Sequence, residues 1–325
     1  MQETIAEIIK RKIWRLKATR KCFKEMSFLL ESGTYTFKNW HFHLLQPGET
    51  VNPLRKVRVN SVEKNPVLYD HGLYVIHKDK CTFVFEDRTY QIETDPAKYS
   101  RTRSRIGQYR EKLPYRTLAV EFDDDRCMYV SETIKVLYDR LESGIHVESR
   151  FEETLSYLFD SLAKAEISVK QMKIKDTEED LYYCVQHGDC HGGNVVWTEN
   201  GPLMIDLGFI GEYPLFYDIV YYVHFYNVHQ FKMEDAFGLF REDRFTAKVE
   251  ETCTRLGIPY DPSLFDHYLA AYVYRMIQYL DDRKIISYLD FTMKGFTPEA
   301  LHGFPEATEA LKVYHERLRQ HKPGR

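Results

Sequence analysis

The sequence predicts an α+β fold with a small strand-rich N-terminal part and a larger helical C-terminal part. Three observations carry that expectation. Residues 34–94 run in short segments rich in aromatic and β-branched residues, "YTFKNWHFHLL", "GLYVIHK" and "CTFVFEDRTYQIE", separated by Asn, Asp, Gly and Pro, the pattern of antiparallel hairpins. From about residue 135 the apolar period becomes helical, over 148–166, 214–241, 245–256, 262–281 and 306–320. One interruption breaks that run: "YYCVQ", "NVVWT" and "LMIDL" are short apolar segments, with Glu199-Asn200-Gly201-Pro202 between the last two reading as a tight hairpin turn.

The elements then follow in order. Residues 1–33 form a basic amphipathic helix, with Ile5, Ile8, Ile9, Ile13, Leu16 and Phe23 at roughly helical spacing and Gly33 just past its end. Residues 34–134 form the strand-rich part. It contains one helix, "PAKYSRTRSRIGQYREKL", opened by Asp95 and Pro96, and two further strands, "RTLAVEF" and "RCMYVSETI". Residues 135–325 form the helical part with its embedded hairpin.

Composition sets limits. A chain of 325 residues that is 43% hydrophobic can bury one large core or two ordinary ones. A net charge of −4 gives no global case for a nucleic-acid partner, so none is expected. The six cysteines form no CxxC and no regular spacing, which suits a reducing compartment better than a disulfide framework. No apolar run approaches the ~18 residues of a membrane span, and the first residues lack the apolar core of a signal peptide. A cytoplasmic protein is expected, in solution or at the inner membrane surface. For the helix over 1–32 two readings stand: a solvated charged face, or attachment to an anionic surface through Lys10, Lys12, Arg15, Lys17, Lys21 and their neighbours.

The chemistry concentrates in "QHGDCHGGNVVWTENGPLMIDLG", Gln186 to Gly208. A loop leaves one strand at His187, and the hairpin after Asn194 returns Asp206 beside it. Asp189, Asn194 and Asp206 thereby converge. Carboxylate and amide oxygens are hard ligands that suit Mg²⁺, which takes its remaining ligands from water and substrate phosphates. A carboxylate left outside the metal shell can take a proton from an attacking hydroxyl, which is the division of labour in phosphoryl transfer. His187, Cys190 and His191 are a poor zinc set, because two are adjacent and no fourth ligand is apparent.

"HGDCHGGN" followed by "IDLG", which begins eleven residues after Asn194, resembles the HGDxHxxN and IDxG motifs of the aminoglycoside phosphotransferase and choline kinase group, relatives of the protein kinases. The resemblance covers roughly Tyr182 to Val223. It implies a two-lobed protein-kinase-like fold, with Asp189 as catalytic base, Asn194 and Asp206 as magnesium ligands, and His187 and His191 holding the loop. "YPLFYDIVYYV" resembles the helix start whose aspartate, here Asp218, braces that loop through backbone amides. ATP and Mg²⁺ are the cofactors implied, and a small molecule or glycan the acceptor.

The N-terminal part departs from the pattern. Glu93 stands where a third-strand lysine is expected to grip the nucleotide phosphates. Lys98 or Arg101 on the next helix is expected to supply the charge, with Glu111 as the pairing glutamate. Glu132, Thr133 and Ile134 are expected to present backbone groups to adenine, and the turn His77–Lys80 is the nearest candidate for a phosphate loop. The same departure leaves a second reading open, a pseudokinase that binds nucleotide or acts as a scaffold without transfer. Within the enzyme reading, the helix after Asp95 is somewhat similar to the small lobe of lipopolysaccharide heptose kinases, which admits lipopolysaccharide or another membrane-linked sugar as acceptor.

Overall fold

The computed structural model describes residues 5–61, 69–77, 80–143, 150–174, 177–225, 237–281, 293 and 296–321. The chain divides into two compact units, one of Met1–Ser104 and Leu118–Glu148, the other of Arg105–Thr117 and Ser149–Arg325. The fold class is α+β, with one strand-rich and one helix-rich unit.

The strand-rich unit begins with α1 (Ile5–Glu25), followed by β1 (Gly33–Lys38), β2 (His41–Leu44), β3 (Lys56–Val59), β4 (His71–Ile76), β5 (Lys80–Val84) and β6 (Arg88–Glu93). The helix α2 (Pro96–Tyr109) precedes β7 (Glu121–Asp123), β8 (Met128–Glu132) and α3 (Lys135–Ser143). Eight strands form one antiparallel sheet in the order β3-β1-β2-β4-β5-β6-β8-β7. Strand alternation puts Tyr35 and Phe37 of β1 on one face, where both meet Phe23 of α1 at 6.1 Å between ring centroids. Phe42, Tyr74 and Phe83 complete a cage around Phe23 at 5.1–5.8 Å, so one helix residue ties α1 to four strands. The β1–β2 turn pairs Lys38 with His41 across Asn39 and Trp40, both at positive φ, the conformation a two-residue hairpin demands.

The helix-rich unit contains α4 (Phe151–Leu162), β9 (Ile167–Ile174), β10 (Thr177–Gln186), β11 (Val195–Thr198), β12 (Gly201–Met204), β13 (Gly211–Pro214), α5 (Tyr217–Phe225), α6 (Asp243–Leu256), α7 (Leu264–Asp281) and α8 (Pro305–His321). Its strands form a β13-β10-β9 sheet and the β11-β12 hairpin. Phe159, Phe216, Phe240, Phe245 and Phe265 pack as its aromatic core. Asp266 of α7 accepts from the Glu306 and Ala307 amides at 2.9 and 3.0 Å, satisfying orphan donors at the start of α8.

Several expectations shift. Two strands, β9 and β13, stand where helix or loop was expected: β9 forms a hairpin with β10, Ile174 opposite Thr177, and β13 gains its ladder by pairing with β10 from far along the chain, Gly211 opposite Gln186. The helix expected over 214–241 starts at Tyr217: Tyr213 and Pro214 pair with β10, and Phe216 at φ +69° breaks the turn before it. Residues 226–236, the middle of that expected helix, lie outside the described residues, as do the central residues of the His77–Lys80 turn and the residues before Ile5. "RTLAVEF" yields only the short β7, with Thr117 bridging to Met204 instead.

Candidate active site

The site in the helix-rich unit is built around the turn that follows β10. Gln186 is fully buried and anchors both flanks: its Nε2 donates to the Pro214 carbonyl at 2.8 Å, and its Oε1 accepts from the Asp218 amide at 2.9 Å. The fully buried Asp218 returns the contact. Its two carboxylate oxygens accept from the His187 and Gly188 amides at 2.7 and 2.9 Å. Burial pushes the Asp218 carboxyl above the usual carboxylate range, with the loop amides pulling against it.

Gly188 has no room for a side chain. It sits at φ +78°, and a Cβ there would lie 2.3 Å from the Tyr213 hydroxyl and 2.5 Å from the Phe209 carbonyl, which hydrogen-bond to each other at 2.7 Å. The loop thus passes close under the turn that follows Asp206.

His187 is fully buried and holds that turn directly. Its Nδ1 accepts from the Asp189 amide at 3.3 Å, so its Nε2 is the nitrogen that donates to the Ile205 carbonyl at 2.8 Å, which assigns the Nε2–H tautomer. The Ile205 amide in turn donates to the Asn194 carbonyl at 3.0 Å. Pairing of Val195 with Met204 closes the hairpin beneath them. Asp206 therefore leaves the hairpin beside Asn194, exposed and at φ +57°, a left-handed conformation uncommon outside glycine and of the kind that clusters at functional sites.

Asp189 is half-buried and held from two sides. Asn194 Nδ2 donates to the Asp189 carbonyl at 2.9 Å and to Oδ2 at 3.2 Å, while the Tyr221 hydroxyl donates to Oδ1 at 2.7 Å. His191 lies farther off, its Nε2 3.9 Å from Asp189 Oδ2. Its ring stacks on Phe225 at 4.6 Å and its Nδ1 accepts from the Gly193 amide at 3.0 Å. Cys190 is fully buried, and burial pushes its thiol well above the ordinary range, which fits a packing residue and not a nucleophile.

Two residues of this network carried no role in the sequence reading. Gln186 lies inside the quoted motif, and Tyr221 inside "YPLFYDIVYYV". The signal for Tyr221 was its place three residues after Asp218, on the same face of α5.

The strand-rich unit brings Glu93 and Lys98 together. Lys98 Nζ lies 3.2 Å from Glu93 Oε2, with the glutamate buried and the lysine half-exposed. Asp95 Oδ1 accepts from the Ala97 and Lys98 amides at 3.0 and 3.4 Å, so the cap that starts α2 also sets Lys98 on its first turn. Glu111 stands thirteen residues after Lys98, beyond the end of α2, and is exposed. Arg101 is exposed on the same helix. In the expected hinge, the Thr133 amide donates to the Asp87 carbonyl at 2.9 Å, and the Ile134 carbonyl accepts from Leu137 and Tyr138 at 2.9 and 3.0 Å to start α3. Two of the backbone groups expected to face adenine are thus engaged, and Glu132 is exposed beside them.

The family comparison agrees with the motif. Residues 139–249 match the phosphotransferase enzyme family APH, a span that includes the whole loop, hairpin and α5. No curated protein matches the chain. Among solved structures, the chain is similar to WbdD bound to a kinase inhibitor, with 14% identity, TM-score 0.33 and coverage of 58% of this chain. It spans about half of WbdD, 47%. A choline/ethanolamine kinase family protein from Mesorhizobium loti matches at 11% identity and TM-score 0.33, over 74% of this chain and 92% of that one. The amicoumacin kinase hAmiN, in complex with AMP-PNP, Ca²⁺ and Ami, matches at 12% and 0.32, over 75% and 88%.

Proposed function

We propose that the protein is an ATP-dependent phosphotransferase that moves the γ-phosphate of ATP to a hydroxyl of a small molecule or glycan, working in the cytoplasm. The observation that carries this reading is the Asp189 carboxylate, fixed on one oxygen by Tyr221 and on the other by Asn194, at the tip of a loop braced by Asp218. A carboxylate so held presents its remaining lone pairs in a defined direction. That is what a general base needs in order to take the acceptor's proton as the phosphoryl group arrives. His187 and His191 keep the loop in shape, and Asp218 positions it.

The residues beside the base fit a magnesium ion. Asn194 turns its nitrogen to Asp189, so its amide oxygen would be the ligand atom, and Asp206 would add an exposed carboxylate. Among the described residues no three His, Cys, Asp or Glu side chains gather into a metal cage. Two hard oxygens with the rest supplied by water and phosphates is the usual magnesium arrangement. When bound, the ion would neutralise phosphate charge. In the strand-rich unit, the nucleotide contacts are assigned to Lys98, with Arg101 near it, and to the backbone at Glu132, Thr133 and Ile134 other than the Thr133 amide and Ile134 carbonyl, which bond within the protein. Lipopolysaccharide or another membrane-linked sugar is the acceptor class toward which the likeness of α2 to heptose kinases leans.

A nucleotide-binding scaffold without transfer is the second reading, favoured by Glu93 in place of a lysine. The Glu93–Lys98 pair weakens it, since the same two charges are present with their positions exchanged. Titration of ATP with and without Mg²⁺ tests the site. Asp206→Ala is expected to abolish the magnesium-dependent part of binding; a variant that binds Mg-ATP as the parent does overturns the metal assignment.

A further inference from the structure

Among the described side chains of α1, those that pack against the core begin at Leu16. Cys22 and Phe23 are fully buried and Thr19 nearly so, whereas every described side chain from Ile5 to Ala18 is exposed or half-buried. Yet Ile5, Ile9 and Ile13 recur at every fourth position and are 77%, 51% and 48% exposed, and Trp14 beside them is 44% exposed. A contiguous row of large apolar side chains in water marks a surface that something covers.

Charge decides what. At about 100° per residue, Lys10, Lys17, Lys21 and Lys24 fall within about 60° of one another on the helix circumference, with Ile9 and Ile13 on one side and Trp14 on the other. A second copy of the chain would set this lysine row against its own like charge. A purely polar polyanion would leave the isoleucines in water. An anionic lipid surface meets both demands, because the apolar row enters the acyl boundary while the lysines stay at the headgroups.

The neighbouring hairpin supplies an independent observation. Trp40, at the tip of the β1–β2 turn, is exposed at φ +71°, a strained conformation for a bulky side chain, and the Arg15 guanidinium of α1 lies 5.0 Å over its ring. Tryptophan beside basic residues is the usual composition of a membrane–water interface. Basic charge also continues from α1 into a cavity of about 890 Å³, where Arg20, Lys21 and Lys24 are joined by Arg58 and Arg126. Glu25, Glu93 and Asp125 offset part of that charge.

We infer that α1 and the tip of the β1–β2 hairpin form a peripheral docking face for an anionic lipid bilayer. No described helix is long and apolar enough to cross a membrane, so the contact is with the surface.

The test is cosedimentation of the full chain with phosphatidylcholine vesicles, with and without phosphatidylglycerol. Binding is expected only with phosphatidylglycerol, and it should weaken as salt rises. Lys17→Gln with Lys21→Gln should weaken it roughly 25-fold, at about fivefold for each lysine near an anionic surface. Ile9→Asp with Ile13→Asp should abolish it while the melting temperature holds, because both side chains are exposed. Equal binding to neutral vesicles, or binding unchanged in both variants, overturns the inference. So does a concentration-dependent dimer in sedimentation equilibrium that the isoleucine variant dissolves, since that would give the face to a second copy.

Discussion

The Tyr221 hydroxyl donates to Asp189 at 2.7 Å from a helix whose Asp218, one turn earlier, holds the amides of the loop that carries Asp189. One helix face therefore braces the loop backbone and aims the carboxylate. Tyr221→Phe removes only the aim. A hydrogen bond to a charged group contributes ~1.5–3 kcal/mol, so kcat is expected to fall roughly 10- to 100-fold with Mg-ATP affinity unchanged. An unchanged kcat would return Tyr221 to simple packing.

Asp218→Ala acts one step further back. It leaves the His187 and Gly188 amides without their acceptor inside the core, at ~1–3 kcal/mol for each orphaned donor. Both melting temperature and activity should drop, and thermal unfolding followed by circular dichroism measures the first. Retention of the parent's melting temperature would show that the carboxylate is dispensable to the loop.

The Glu93–Lys98 pair predicts an exchange experiment. Glu93→Lys and Lys98→Glu singly set like charges against each other where the parent has an ion pair at 3.2 Å, and should each lower stability. The double exchange restores opposite charges and should recover most of the loss, a coupling that a double-mutant cycle in urea reads directly. Lys98→Ala takes a partner from the buried Glu93 carboxylate, so it should lower stability by ~1–3 kcal/mol and also weaken Mg-ATP binding. Parental nucleotide affinity in Lys98→Ala would remove the lysine from the phosphate contact.

The thiols report on the fold. Cys22, Cys81, Cys184, Cys190 and Cys253 are buried and Cys127 is partly exposed. Burial holds Cys190 well above the ordinary thiol range, so raising the pH through that range leaves it protonated. Native labelling at mildly alkaline pH should modify Cys127 first, with Cys190 reacting only on unfolding; peptide mass mapping distinguishes them. Rapid native labelling of Cys190 would contradict the buried loop.

What the sequence made legible was what local chemistry dictates. The Glu199–Pro202 turn, the aromatic and β-branched segments before residue 94 and the Asp95 cap each act within a few residues, and each stands where expected. The spacing of "HGDCHGGN" and "IDLG" sufficed to bring Asn194 and Asp206 together, because a two-residue turn leaves the hairpin only one register. Pairings that depend on how one element meets another were not legible. β9 and β13 exist through β10, the Glu93–Lys98 pair depends on how α2 leaves β6, and Tyr221 reaches Asp189 only once Asp218 has drawn α5 to the loop.

The central claim is that Asp189 takes the proton of an acceptor hydroxyl during transfer from ATP. The most direct measurement follows transfer of radiolabelled γ-phosphate from Mg-ATP to a panel of hydroxylated small molecules and glycans, by the parent and by Asp189→Asn, beside Mg-ATP affinity in both. The parent should transfer to at least one acceptor, and the variant should lose transfer while binding Mg-ATP within about twofold of the parent, since a base contributes to the chemical step and not to nucleotide affinity. Transfer by Asp189→Asn at the parent's rate would contradict the account.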